Sequence, residues 1–214
     1  MSTTSPDTSH PYEPPKWASK VLKNIPQHGR LHLANLPTPL HLINTKSSRR
    51  ANKADGILSK LNELNTKLYI KRDDSTGGTE LGGNKVRKLE FLLADALADK
   101  ACDSVVTIGG EQSNHCRATA AASRMVGLEP HLILRTRRAD AIHNNENEDI
   151  GWVGNVLFDR MVGSTIYTCT PGEYGRLGSN ELVDSVCDYL KSQKLNPTIQ
   201  SIQVKSQVCL SLSK

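Results

Sequence analysis

Apolar and polar positions change period several times along this chain, and the changes predict alternating strands and helices. Lys67-Leu68-Tyr69-Ile70-Lys71 alternates as a strand does and runs into the charged Arg72-Asp73-Asp74. From Asn84 onward Val86, Leu89, Leu93, Ala96 and Leu97 recur at helical spacing, so an amphipathic helix is expected to run to about Lys100, with Lys85 in its first turn. Ser104 to Ile108 is a β-branched run closed by Gly109-Gly110. Ser113 or Asn114 is then a natural N-cap for an alanine-rich helix reaching about Val126. His131 to Leu134 gives the next strand, which completes a βαβ unit. Helix Asn155–Met161, strand Ser164–Thr168 and helix Asn180–Lys191 repeat the scheme after a long polar loop, Asp140–Asp149. Before residue 45, Pro11, Pro14, Pro15, Pro26, Pro37 and Pro39 leave room for a helix only around Lys16–Lys23, and Lys46–Asp55 reads as a surface loop. The fold class is α/β with open parallel sheets.

Composition narrows the partners. A chain of 214 residues with 37% apolar residues can bury the core of one large domain or two small ones. No apolar run approaches the roughly 18 residues of a membrane helix, and the start has no secretory signal, so a cytoplasmic address is expected. A mitochondrial address is the alternative, although no arginine precedes Arg30. Five cysteines, odd in number and without a Cys-x-x-Cys pair, argue against a disulfide framework and against a zinc site, so no metal is expected. The net charge of +5 includes basic knots at Arg49-Arg50 and Arg135–Arg138. Few aromatics stand nearby to stack bases, so these read as solvated faces and not as nucleic-acid contacts.

Two segments carry candidate chemistry. A lysine must lose its proton before attacking an aldehyde, and the positive end of a helix disfavours the ammonium, so the place of Lys85 suits a nucleophilic amine. Gly82 and Gly83 would let a planar ring approach the backbone, and Arg87 and Lys88 would add positive charge. Gly109 to His115 offers helix-terminal N–H groups, the Ser113 hydroxyl, the Asn114 amide and the His115 imidazole, a set suited to an anionic ligand. Each segment alone has an ordinary reading. Lysines at helix starts are usually solvated, and Ser113 or Asn114 could simply cap its helix.

In order, Pro11–Ser19, Leu36-Pro37-Thr38-Pro39-Leu40, Lys71–Asp74, GGNKVRKLEFLLADALADK from Gly82 and QSNHCRATAAA from Gln112 resemble the D-cysteine desulfhydrase and 1-aminocyclopropane-1-carboxylate deaminase family. These are pyridoxal 5'-phosphate enzymes of fold-type II, with the tryptophan synthase beta-like fold, and the resemblance is nearest to the plant-type D-cysteine desulfhydrases. It covers about Pro11 to Leu195. It implies that Lys85 is the lysine that links to the cofactor, Ser113 the serine of proton transfer or nucleophilic attack, and Asn114 a cofactor contact. Ser113, Asn114 and His115 would meet a small amino-acid substrate. D-cysteine would give pyruvate, hydrogen sulfide and ammonia; the cyclopropane acid would give 2-oxobutanoate and ammonia. Family members commonly pair as homodimers.

The resemblance also implies a longer partner sequence. Family members continue into a glycine-rich phosphate loop, whereas no glycine follows Gly178 here, so Ser179–Lys214 cannot supply one. The expected organisation is an arm and first part of the large domain over residues 1–84, a small α/β domain over 85–195, and an atypical tail over 196–214. Strands before Lys85 should then lack neighbours and leave apolar surface exposed. Glu111 stands where the family is commonly apolar and is expected to point to solvent. A non-catalytic binding or subunit-pairing module is the competing reading.

Overall fold

The computed structural model describes residues 5–22, 24–43, 56–145, 148–193 and 197–198. In chain order its elements are β1 (Leu40–Ile43), α1 (Gly56–Glu63), β2 (Leu68–Lys71), α2 (Val86–Ala98), β3 (Ser104–Gly110), α3 (Asn114–Met125), β4 (Glu129–Arg135), α4 (Ala139–Asn144), α5 (Gly154–Met161), β5 (Thr165–Cys169), α6 (Pro171–Ser192) and β6 (Pro197–Thr198). The expected loop at Lys46–Asp55 and the tail beyond Thr198 lie outside the described residues.

β5, β4, β3 and β6 form one parallel sheet in that order. The inner strands β3 and β4 are buried almost throughout, as parallel strands covered on both faces must be. Their side chains divide with the period of two. Val105, Leu132 and Leu134 face the side of α2, α3 and α5, while Val106, Ile108 and Ile133 pack under Leu182, Val183, Val186 and Leu190 of α6. The alanines of α3 keep that helix close to the sheet, with Ala118, Ala120 and Ala122 all buried. Because β3 ends at Gly110 and α3 begins at Asn114, the turn between them lies at the carboxyl edge of the sheet, where such folds place ligands.

Two expectations need correction. Ala139–Asn144, inside the supposed polar loop, is a helix, since fully buried Ala139 and the packing of Ile142 against the β4 cluster give even six residues an apolar face. α6 starts at Pro171 rather than near Asn180. Thr170 and Glu173 form a capping box with Pro171 at the first helical position, and Gly178, at φ +77°, breaks the run into two helices. Pro197 and Thr198, within the atypical tail, add a short parallel strand beside Ser104 and Val105.

The N-terminal arm is partly built into the core. Leu31 and Leu33 are buried against α2, and the carboxylate of Glu90 accepts hydrogen bonds from Arg30 Nε (2.8 Å), Leu33 N (3.0 Å) and Ala34 N (2.8 Å). β1 and β2 form a separate antiparallel ribbon on which Leu40, Leu42, Leu68, Tyr69 and Ile70 are exposed, the apolar surface expected before Lys85. Among the described residues no helix is long and apolar enough to cross a membrane.

Candidate active site

The lysine side is a glycine loop folded around one buried hydroxyl. Thr76 is fully buried, and its Oγ1 accepts from Gly83 N (3.0 Å) while lying 2.8 Å from Gly83 O, to which it donates. Gly83 sits at φ +112°, and a Cβ there would meet nothing within 4 Å, so the loop turns sharply beneath open space. The next ordered turn is α2. Lys85 is its N-cap rather than a first-turn residue, though its backbone is already helical (φ −73°, ψ −38°) and its carbonyl accepts from Lys88 N and Leu89 N. The side chain is half-buried, and among the described residues its ammonium has no hydrogen-bond or ion-pair partner. Arg87 does not add its charge to this lysine in the way the sequence suggests. Its guanidinium grips Asp73 through two bonds of 2.5 and 2.7 Å, and those bonds hold the Asp73 carboxyl below the usual carboxylate range.

The serine side is the turn between β3 and α3. Ser113 is the N-cap, its Oγ accepting from Cys116 N at 3.2 Å. An N–H directed at the hydroxyl oxygen favours donation of the hydroxyl proton elsewhere, so capping and proton relay are compatible in one residue. Gly109 is obligatory behind it, because a Cβ there would lie 2.4 Å from Ser113 Oγ and 2.7 Å from Cys116 Sγ. Gly110, by contrast, faces open space. Intrahelical geometry leaves the first N–H groups of α3 without backbone acceptors; Ser113 Oγ takes that of Cys116, and a helix end of this kind favours an anion.

Asn114 is oriented by residues that the sequence reading passed over. Arg117 is an obligate donor, and its Nη1 lies 2.9 Å from Asn155 Oδ1 and 3.1 Å from Asn114 Oδ1. Asn155 must therefore turn its oxygen to Arg117 and its Nδ2 to Gln112 O (2.8 Å) and Asn114 Oδ1 (3.1 Å). With two donors on its oxygen, Asn114 has its own NH₂ group left to face outward. Gln112 completes the lattice by accepting from Asn155 N at 2.7 Å and donating to Val153 O at 3.2 Å. Gly154, at φ +59°, makes room for it, since a Cβ would come 2.2 Å from Gln112 Oε1.

His115 joins the two sides. Its Nε2 lies 3.0 Å from Thr107 Oγ1, and burial, helped by the positive charges of Lys85 and Lys88, pushes its pKa down to about 4. The imidazole is neutral at neutral pH, and Lys85 lies within electrostatic range of it. A direct backbone link runs the same way. Arg117 Nη2 donates to Gly82 O at 3.0 Å and Nε to Glu80 O at 3.4 Å, so one guanidinium spans the lysine loop and the start of α3. Glu111, expected to point to solvent, is instead engaged within the fold, where Thr136 Oγ1 (2.6 Å) and Arg138 Nη2 (2.9 Å) hold its carboxylate. Behind Cys116 lies Asp159, buried without a hydrogen-bond partner, its carboxyl raised to about 7 by burial and restrained by Arg117.

A family model described as "Pyridoxal-phosphate dependent enzyme" matches residues 34–204, a stretch that contains both sides of this site. The chain belongs to that family. It is 44% identical over 192 residues, 90% of its length, to the bifunctional D-cysteine desulfhydrase/1-aminocyclopropane-1-carboxylate deaminase, mitochondrial, of Arabidopsis thaliana, and spans 42% of that protein. A putative 1-aminocyclopropane-1-carboxylate deaminase of Thermotoga maritima is 38% identical over 69% of the chain, which covers 39% of that relative. Among solved structures, an ACC deaminase homologue superposes with a TM-score of 0.55 at 30% identity, over 78% of this chain and 42% of that one. The fold of this family member is thus the α/β fold with parallel sheets that the resemblance implied. The chain spans about two-fifths of the length of the relatives it matches.

The residues present fit the family's cofactor on the observations above. Open space at Gly83 and Gly110, a half-buried lysine without a polar partner among the described residues and an amide whose oxygen is already engaged suit a planar ring bearing an aldehyde and a phenolic oxygen.

Proposed function

We propose that this chain carries the lysine-bearing part of a pyridoxal 5'-phosphate lyase site acting on a small amino acid, D-cysteine first, with pyruvate, hydrogen sulfide and ammonia as products. The observation that supports this most is the half-buried Lys85, without a polar partner among the described residues, on a loop that Arg117 ties to Asn114, whose oxygen the Arg117–Asn155 lattice engages. When bound, the cofactor supplies an electron sink for bonds broken at the substrate α-carbon.

The chain's own residues divide the remaining work. Lys85 would hold the cofactor through Nζ, as the amine that its aldehyde requires. Asn114, its oxygen engaged by Arg117 and Asn155, would offer Nδ2 as a donor to an oxygen of that group. A substrate carboxylate sits on the N–H groups at the start of α3, where the helix end favours an anion. Ser113 passes a proton through Oγ, and neutral His115, tied to Thr107, closes the substrate side without competing for the carboxylate as a cation would.

The relatives' descriptions support 1-aminocyclopropane-1-carboxylate as a second substrate, since the Thermotoga protein and the solved homologue both carry that activity in their names. Residues 85–195 act as the small domain, residues 1–84 as an arm and the first part of a larger one, and residues 196–214 as an atypical tail. The assembly we infer is a homodimer of the full-length protein, without nucleic-acid or membrane partners. Of the two addresses, the description of the Arabidopsis relative favours the mitochondrion over the cytoplasm.

The test is optical and chemical. Purified chain mixed with pyridoxal phosphate should give the visible band of a lysine-linked pyridoxal, absent in Lys85→Ala, and should release sulfide from D-cysteine. A band without sulfide but with 2-oxobutanoate from the cyclopropane acid would move the substrate assignment. Neither band nor product would make the chain a non-catalytic module.

A further inference from the structure

Arg117 holds more of the site together than any residue that touches the cofactor in this reading. It stands one turn into α3, and its guanidinium reaches three separate segments: Glu80 O and Gly82 O in the lysine loop, Asn114 Oδ1 at the helix start, and Asn155 Oδ1 in the first turn of α5. The fork geometry matters here, because no ammonium could meet acceptors on all three with planar, divergent N–H bonds. Among the side chains of the lattice it is the one whose donor character is fixed. Asparagine and glutamine amides can each turn either way, but a guanidinium can only donate.

We propose that Arg117 is a positioning residue of this site, tying the glycine loop that carries Lys85 to the start of α3 and, together with the Gln112 carbonyl, holding the Asn114 and Asn155 amides in one orientation. The inference rests on the functional reading above for its consequence, though its geometry stands without it. Remove the guanidinium and the Asn155 oxygen loses its donor, so that only Gln112 O still holds that amide through Nδ2, while Asn114 loses one of the two donors on its oxygen and its NH₂ is less firmly held outward. At the same time Gly82 loses its link to α3, while the lysine loop keeps its internal bonds, from Gly82 N to Gly78 O and from Gly83 N to Thr76 Oγ1 and Asp73 O. Two elements of the site would lose register together. The displacement at each is small, yet misplacement by about 1 Å can cost about a hundredfold in rate.

The experiment compares wild type with Arg117→Ala and Arg117→Lys in two steps. In the free chain, amide hydrogen exchange at Gly82, Gly83 and Lys85 is expected to quicken about tenfold in both variants, while amides of β3 and β4 keep their protection. With pyridoxal phosphate, the lysine-linked band is expected to form about tenfold more slowly in both variants, and millimolar guanidinium should restore the rate in Arg117→Ala but not in Arg117→Lys, whose side chain fills the slot. Unchanged loop exchange, or a wild-type rate of band formation in Arg117→Ala, would overturn the positioning role. Loss of protection throughout β3 and β4 would equally overturn it in favour of a general structural one. If wild type itself gives no band, the functional reading fails, and the exchange measurement still decides whether Arg117 ties the loop.

Discussion

Asp159→Asn should reverse part of the protein's dependence on pH. The carboxyl is 1% exposed, neither oxygen has a hydrogen-bond partner, and burial raises its pKa from 3.8 to about 7. Raising an acid's pKa on folding means that the native chain binds a proton the unfolded chain has already lost. Stability is therefore greatest below pH 4, falls as pH rises, and is fully penalised above pH 7. At 1.36 kcal/mol per unit, the whole penalty is about 4 kcal/mol, of which about 2.5 kcal/mol accrues between pH 5 and pH 8. Asparagine cannot ionise and so carries none of it. Its unpaired amide adds a cost of about 1–3 kcal/mol that does not vary with pH, so the slope, and not the offset, is diagnostic. His115 confuses the wild-type curve alone, because a histidine depressed to about 4 gains stability with pH over much of the same range. Both proteins contain it, so it cancels in the difference. Urea unfolding followed by circular dichroism at pH 5, 6, 7 and 8 should show Asp159→Asn gaining about 2.5 kcal/mol on wild type across the series. A difference that stays flat would mean that the carboxylate is solvated or paired, and the account of burial would be wrong.

Other perturbations test the frame around the site. Gly109→Ala places a methyl 2.4 Å from Ser113 Oγ and should cost about 2–3 kcal/mol, seen as a lowered melting temperature; Gly110→Ala, in open space, should cost under about 1 kcal/mol. Equal effects would refute the close approach. Glu90→Ala leaves two backbone N–H groups and Arg30 unpaired and should cost about 3 kcal/mol, whereas Glu90→Gln keeps one acceptor oxygen for Leu33 and Ala34 and should cost less by urea titration. His115 followed by NMR should titrate near 4, and Lys85→Met should move it upward by removing a positive neighbour. No movement would place that ammonium elsewhere.

The sequence was most legible where one physical signal dominated. The period of α2, the β-branched run of β3 and the alanines of α3 each report burial directly, and all three elements lie within a few residues of their expected bounds. Ser113 was recognisable as a cap because hydroxyl N-capping is local chemistry. α4 was hidden because its neighbours are polar and only Ala139 and Ile142 reveal its inner face. The early start of α6 was encoded in Thr170-Pro171-x-Glu173, but the glycines that follow read as a loop. The site divided in the same way. Lys85, Ser113, Asn114 and His115 are contiguous with glycine turns, a local signature. Arg117 and Asn155 are ordinary residues of helices in sequence terms, and their role exists only once α3 and α5 pack side by side and bring positions 38 residues apart within 3 Å.

That difference has a consequence for what this family member must conserve physically. A lysine and an amide can be placed near one another by a fold, but an amide is nearly symmetric to packing forces, and nothing in shape alone decides which end faces the ligand. A neighbour with fixed donor or acceptor character makes that choice, and here the Arg117 guanidinium and the Gln112 carbonyl make it together for Asn155, whose amide passes it on to Asn114. The same guanidinium holds the carbonyl of Gly82, three residues before the lysine. Orientation of the amide and position of the amine are therefore not independent variables in this chain. A substitution that frees one must disturb the other, and double substitution of Asn155 and Arg117 should show strong non-additivity in the rate of lysine linkage, where two unconnected supports would simply add.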